Sequence, residues 1–340
     1  MLHNRLTEQY GLDVPFVSAG MGFVAFPELA AAVSNAGGLG LLGSGIAPPP
    51  AVRDMIRKTR SLTSRPFGVD YVVADTALGP ATTAEHIEVC IQERVPVVVF
   101  FWNVPPADWI ARLRESGIRI WIQAGSIDRA KKAVAIGADG LIIQGSEAGG
   151  HNHSQAGLFA LLPAAVDAVS PVPVIAAGGI ADGRGVAAAL ALGADGVCVG
   201  TRLIASQEAH AHEEYKRRVV VAGIDDIART CIFGPEWPDQ PMRVIRNRVV
   251  REWAGRDDRT PAPPNPSQSI GHTSIGGQEY PMPKFSAVLP VQGTTGDFEE
   301  MCLAAGESAG LVTDIKPAAD IVRDMMTQAE SIMSRGLRRR

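Results

Sequence analysis

Short β-branched runs alternating with helical stretches predict an α/β chain folded as a closed (β/α)8 TIM barrel with an appended C-terminal substrate-side subdomain. Candidate strands fall at 16–19, 38–42, 67–73, 97–101, 119–123, 140–143, 174–177 and 196–199. Helical patterns at 27–35, 49–59, 84–93, 107–116, 127–136, 160–168 and 185–192 separate them. Strands that are apolar throughout, each followed by a helix, indicate a parallel sheet covered on both faces. Eight such units match a closed barrel, whose core takes ~250 residues. An internal echo supports the count. Ala135-Ile136-Gly137-Ala138-Asp139-Gly140 returns as Ala191-Leu192-Gly193-Ala194-Asp195-Gly196. In both copies a helix ends, glycine caps it in the left-handed region and a strand begins.

The alternation covers residues 1–221, and the pattern then changes. Residues 222–317 read as a substrate-side subdomain or lid, with a final helix, 318–335, returning to the barrel. The segment 257–283 carries Pro261, Pro263, Pro264, Pro266, Pro281 and Pro283. It reads as a long irregular connection over the barrel mouth, as binding loops often are. A further helix is expected at 297–305.

The 340 residues are 46% hydrophobic and 20% charged, with a net charge of -4. That is ordinary globular composition, and it argues against nucleic-acid or anionic-membrane partners. No apolar run reaches the roughly 20 residues of a membrane span, and residues 1–10 lack a signal-peptide core. The four cysteines form no CxxC pair, which fits a reducing cytoplasm. Cys90 and Cys198 read as small buried residues, and Arg338-Arg339-Arg340 as a solvated tail. Asp75, Asp139 and Asp195 read as turn or cap residues.

Barrel active sites lie at the C-terminal strand ends, and the chemically distinctive residues cluster there. Gly20 and Met21 follow the first strand, Asp70 sits in the third, and Gln123 follows the fifth. Gln144 to His151 follow the sixth, Gly178-Gly179 the seventh and Gly200-Thr201 the eighth. Glycine loops after strands seven and eight match the usual phosphate site of such barrels, where backbone N–H groups and a hydroxyl hold the anion. Tight βα turns are the alternative explanation for those glycines. His151 stands after Gly149-Gly150 and is the best candidate for acid–base work. His153 forms His-Asn-His with it, a weak metal signal without a further ligand nearby, so no metal is expected. Glu147 either binds a backbone amide or is solvated. Gly37, Gly38 and Gly40 run from helix to strand, the reverse of a Rossmann fingerprint.

With these motifs in hand, the chain resembles the nitronate monooxygenase family, formerly called 2-nitropropane dioxygenases. The residues that carry the likeness are Glu147-Ala148-Gly149-Gly150-His151, Ala177-Gly178-Gly179-Ile180-Ala181-Asp182-Gly183 and Gly200-Thr201-Arg202. Pro283-Lys284-Phe285-Ser286 and Ala305-Gly306-Glu307-Ser308-Ala309-Gly310 extend it into the appendage. The resemblance implies an FMN-dependent barrel enzyme that oxidises alkyl nitronates or nitroalkanes with O2 to a carbonyl compound and nitrite. Flavin-dependent enoyl-acyl-carrier-protein reductases and some NADH:quinone reductases share nearly the same set, so a NAD(P)H-dependent reductase of enoyl thioesters or quinones is the alternative. By the resemblance, Gly20 and Met21 lie against the isoalloxazine and Gln123 and Gln144 bond the flavin. Gly149 and Gly150 contact the cofactor, while Gly178, Gly179, Gly200 and Thr201 hold the FMN phosphate. His151 matches the family's active-site histidine. Two departures stand out. Asp70 occupies a flavin-side position where asparagine is expected, and Ala304 a place where some members carry a tyrosine. A cytoplasmic monomer or homodimer is expected.

Overall fold

The computed structural model describes residues 4–76, 79–234, 236–262, 268–275 and 278–335. Pro263, Pro264, Pro266 and the terminal arginines lie outside the described residues. The eight strands are β1 (Phe16–Ser18), β2 (Gly40–Gly43), β3 (Phe67–Val73), β4 (Val97–Trp102), β5 (Arg119–Ala124), β6 (Gly140–Gln144), β7 (Val174–Ala177) and β8 (Gly196–Val199). All neighbouring pairs from β2 round to β8 and on to β1 are parallel. The ring closes between β1 and β2 through a parallel bridge, Val17 to Leu39. There the Ser18 amide donates to the Leu39 carbonyl at 3.0 Å.

The continuous apolar strands divide their side chains between two cores, because successive residues point to opposite faces. In β4, Val97 and Val99 fill the barrel interior with Trp121, Ile142 and Ile175. Val98 and Phe100 pack outward against the helices with Tyr71, Ile120 and Ile143. Helix α1 (Arg5–Tyr10) plugs the bottom: Leu6 joins the interior cluster, and the Trp121 indole donates to the Tyr10 hydroxyl at 2.6 Å. The same two-residue period places Asp70, Gln123 and Gln144 in the inward register, above these apolar layers.

The echoed motif has a structural cause. Gly137 and Gly193 take φ of +94° and +96°. The aspartate two residues on then caps the preceding strand. Asp139 accepts from the Ile120 amide and Asp195 from the Val174 amide, both at 2.9 Å.

The final helix, Ala318–Arg335, packs on the helix Gly183–Ala191, where Gln328 Oε1 accepts from the Gly183 amide at 2.7 Å. The intervening chain builds two small sheets. In one, Ile227–Thr230 pairs antiparallel with Met242–Ile245, which pairs with Gly150–His151. In the other, Ser269–Ile275 pairs with Gln278–Pro283 and with Thr295–Gly296.

Two expectations are corrected here. The later part of the proline-rich segment is a β-hairpin rather than an irregular cover, and none of its described residues lines the cavity at the barrel mouth. Pro281 and Pro283 are tolerated because Gln278–Pro283 is an edge strand. No helix forms at 297–305. Asp297 Oδ1 takes the Glu299 amide at 3.0 Å, and the Asn247 side chain takes the carbonyls of Phe298 and Met301. Leu303 and Ala305 spend their backbone groups on the strand Met242–Ile245. Those bonds replace the i to i−4 pattern of a helix.

Candidate active site

The cavity at the C-terminal strand ends is lined by all twelve residues singled out from the sequence: Gly20, Met21, Asp70, Gln123, Gln144, Gly149, Gly150, His151, Gly178, Gly179, Gly200 and Thr201. Its floor is inward-facing strand residues, its flank is glycine backbone, and one end is aromatic.

At the glycine flank, Gly178 and Gly179 have φ of +101° and +71°. Only glycine adopts such backbone without strain. Their amides donate to no protein acceptor among the described residues, and so remain available to an anion. The buried Thr201 hydroxyl accepts from the Gly306 amide at 2.9 Å, which leaves its own proton to donate. On the floor, a Cβ on Gly20 would collide with the Asp70 side chain. Glycine there keeps the wall flat against a planar ligand.

Asp70 is enclosed by protein on every side but the cavity. Burial without a nearby cation pushes its pKa well above the usual carboxylate range. The neighbouring Cys198 thiol is likewise pushed up by burial, with Asp70 adding to the effect.

The loop after β6 is fixed from three directions. Both Glu147 oxygens accept from the Leu158 amide, at 2.8 and 3.0 Å, so this carboxylate binds backbone. Asn152 Nδ2 ties the carbonyls of Gly145 and Ala148. Gly150 and His151 pair with Arg243 and Met242 as a strand. His151 is thus held by its backbone, and its ring is free for chemistry. Burial, with His153 contributing, lowers its pKa to about 4. The imidazole is neutral at physiological pH. Its Nε2 is buried and has no hydrogen-bond partner among the described residues.

The aromatic end was not foreseen. Trp102 packs on His151 with ring centroids 4.7 Å apart, and Trp237 lies 5.8 Å from His151 and 6.1 Å from Trp102. Trp102 takes φ of +88°, an unusual state for a bulky residue, and lines the cavity. Its position at the end of β4 was a usable signal. Trp237 reaches the mouth through a proline-flanked loop with no periodicity to reveal it. Tyr215, from the helix Glu213–Val221, also lines the cavity, as do Met242, Ala304 and Ser308 from the appended chain. The Tyr215 hydroxyl donates to the Ala304 carbonyl. His153 contacts Trp102 but lies outside the cavity lining.

A barrel mouth that combines free glycine amides, a flat floor and a buried neutral histidine suits a planar, phosphate-bearing cofactor. The family model for nitronate monooxygenase matches residues 3–328, and the chain belongs to that family of flavoprotein enzymes. It is 32% identical over 371 residues to a probable nitronate monooxygenase of Staphylococcus aureus, covering 97% of this chain and 98% of that one. It is 40% identical over 254 residues to the Mycobacterium tuberculosis (3aS,4S,5R,7aS)-5-hydroxy-7a-methyl-1-oxo-octahydro-1H-indene-4-carboxyl-CoA dehydrogenase, covering 74% and 68%. Among solved structures it resembles FabK from Thermotoga maritima (TM-score 0.81, 34% identity, 98% of each chain). It also resembles a nitroalkane oxidase from Streptomyces ansochromogenes (TM-score 0.79, 28% identity, 98% and 99% covered). No helix among the described residues is long and apolar enough to cross a membrane.

Proposed function

We propose that the protein is an FMN-dependent enzyme that oxidises alkyl nitronates or nitroalkanes with O2 to a carbonyl compound and nitrite. The observation that carries this reading is the neutral, unpartnered His151 Nε2 beside the rings of Trp102 and Trp237. Those rings suit a small planar substrate, and the imidazole can take its α-proton. Gly178, Gly179, Gly200 and Thr201 would hold the FMN phosphate. Gly20 and Met21 would face the ring system, and Gly149, Gly150, Gln123, Gln144 and Asp70 would border it. Bound FMN supplies the electron transfer between substrate and dioxygen. The protein positions the substrate, shields it from water and moves the proton. A cytoplasmic monomer or homodimer completes the proposal.

The likeness to the indene-carboxyl-CoA dehydrogenase favours a second reading, flavin oxidoreduction of a thioester, including NAD(P)H-dependent reduction of enoyl thioesters or quinones. Anaerobic mixing separates the two. Bleaching of the flavin by propionate 3-nitronate alone is expected. Bleaching by NADH or NADPH, with no response to nitronate, would transfer the assignment to the reductase class.

A pH profile tests the base. His151 works as a base when neutral, so kcat/KM for a neutral nitroalkane should hold down to about pH 4 and fall below it. An acid limb near 6.5, the free histidine value, would show that the ring is solvated during turnover. Stability carries the same sign. The folded pKa lies below the unfolded one, so this contribution is complete above about 6.5 and is lost as pH falls toward about 4.

A further inference from the structure

We infer that Trp237 is a specificity-determining hydrogen-bond donor. Its indole N–H and the His151 Nε2 form a two-point anchor for a carbon acid whose charge develops on oxygen. The Trp237 Nε1 is buried and has no acceptor among the described residues, as His151 Nε2 has no partner. Both side chains line the same cavity, and their rings meet edge to face at 5.8 Å with an interplanar angle of 71°. Two orphaned polar atoms on side chains that line one cavity are costly unless a ligand satisfies both. An indole N–H only donates, whereas a neutral imidazole nitrogen can accept a proton. The pair therefore fits a substrate with a C–H acid on one side and a nitro or carbonyl oxygen on the other.

The step balances on that geometry. The α C–H bond breaks, and its proton goes to His151 Nε2. The electron pair moves into the new C=N or C=C bond, and the negative charge settles on the oxygen that accepts from Trp237. Shared by nitroalkanes and acyl thioesters, this requirement gives the class of substrate for the site proposed above. Simple quinones, which offer no acidic C–H beside the oxygen, do not use the pair.

The test is a titration of the flavin-loaded protein, following the flavin absorbance. The probes are nitrite, which carries the O–N–O group, and the crotonyl thioester of N-acetylcysteamine. Trp237→Phe keeps an aromatic ring without the donor. It should retain flavin and bind nitrite about 10- to 100-fold more weakly, as for loss of a hydrogen bond to charge, and the neutral thioester about 2- to 10-fold more weakly. Trp237→Gln, which restores an N–H, should regain part of that loss. If the wild type answers to the thioester and not to nitrite, and Trp237→Phe weakens it, the donor role stands and the nitronate reading falls. Wild-type affinity in Trp237→Phe for both probes would overturn the inference, as would a wild type that answers to neither. Should the phenylalanine variant lose flavin, Trp237→Gln against Trp237→Leu decides, and equal affinities would overturn it.

Discussion

His151→Asn is expected to lower turnover of a neutral nitroalkane by roughly 10²–10⁴-fold, the usual contribution of a positioned general base. Flavin content should not change. The loop is held by the Gly150–His151 pairing and by Glu147 and Asn152, not by the imidazole ring. Turnover of a preformed nitronate should fall far less, because its α-proton has already gone. Initial rates with the two substrate forms, normalised to bound flavin, make the comparison. Equal losses on both forms would show that His151 orients the substrate rather than removing a proton. No loss on the neutral form would end the base assignment. The buried ring accounts for the direction: a solvated histidine would be part-charged near neutrality, whereas burial keeps this one in its accepting form.

The barrel was legible because its strands are short, apolar and regularly spaced, and helices of the right length lie between them. Three strand spans, those of β3, β7 and β8, coincide with the expected ranges. The floor of the site was legible for the same reason. Asp70, Gln123 and Gln144 are polar residues within mostly apolar strands, Gln123 and Gln144 at or next to the C-terminal ends, and such residues belong at the mouth. The aromatic end was not, because it is made by tertiary return. Trp237, Tyr215 and Ser308 come from segments whose local pattern says nothing about where they end up. The failed helix at 297–305 teaches the same lesson. Its composition permits a helix, but the strand Met242–Ile245 offers its backbone better partners, and tertiary pairing overrides propensity. The block Ala305 to Gly310 stood out in the sequence without a structural reason, which its contact with the β6 loop now supplies.

That contact yields the second large effect. Gly149 and Gly306 meet backbone to backbone. A Cβ on Gly149 would collide with the Gly306 amide nitrogen and sit 2.5 Å from the Ala305 carbonyl carbon. A Cβ on Gly306 would lie 2.5 Å from the Glu147 carbonyl oxygen and 2.7 Å from the Gly149 nitrogen. Neither neighbour can rotate away, since both are main chain. The Gly306 amide reaches Thr201, and the Glu307 amide donates to Glu147 at 3.0 Å. Arg243 braces the joint by pairing with Glu307 at 3.0 Å and donating to the Ser146 carbonyl. Gly149→Ala should therefore cost about 3 kcal/mol, the upper end of overpacking penalties. It should weaken flavin retention in the same event, because the displaced Gly306 amide is the partner of Thr201. Gly150→Ala is the matched comparison. Its Cβ would meet nothing within 4 Å, but its φ is +69°. It should cost about 1–2 kcal/mol from backbone conformation alone. Denaturant unfolding of the loaded protein and flavin titration of the stripped protein measure both quantities. If the two alanine variants behave alike, backbone strain rather than close approach governs this loop, and the appended chain is not what holds the histidine in place.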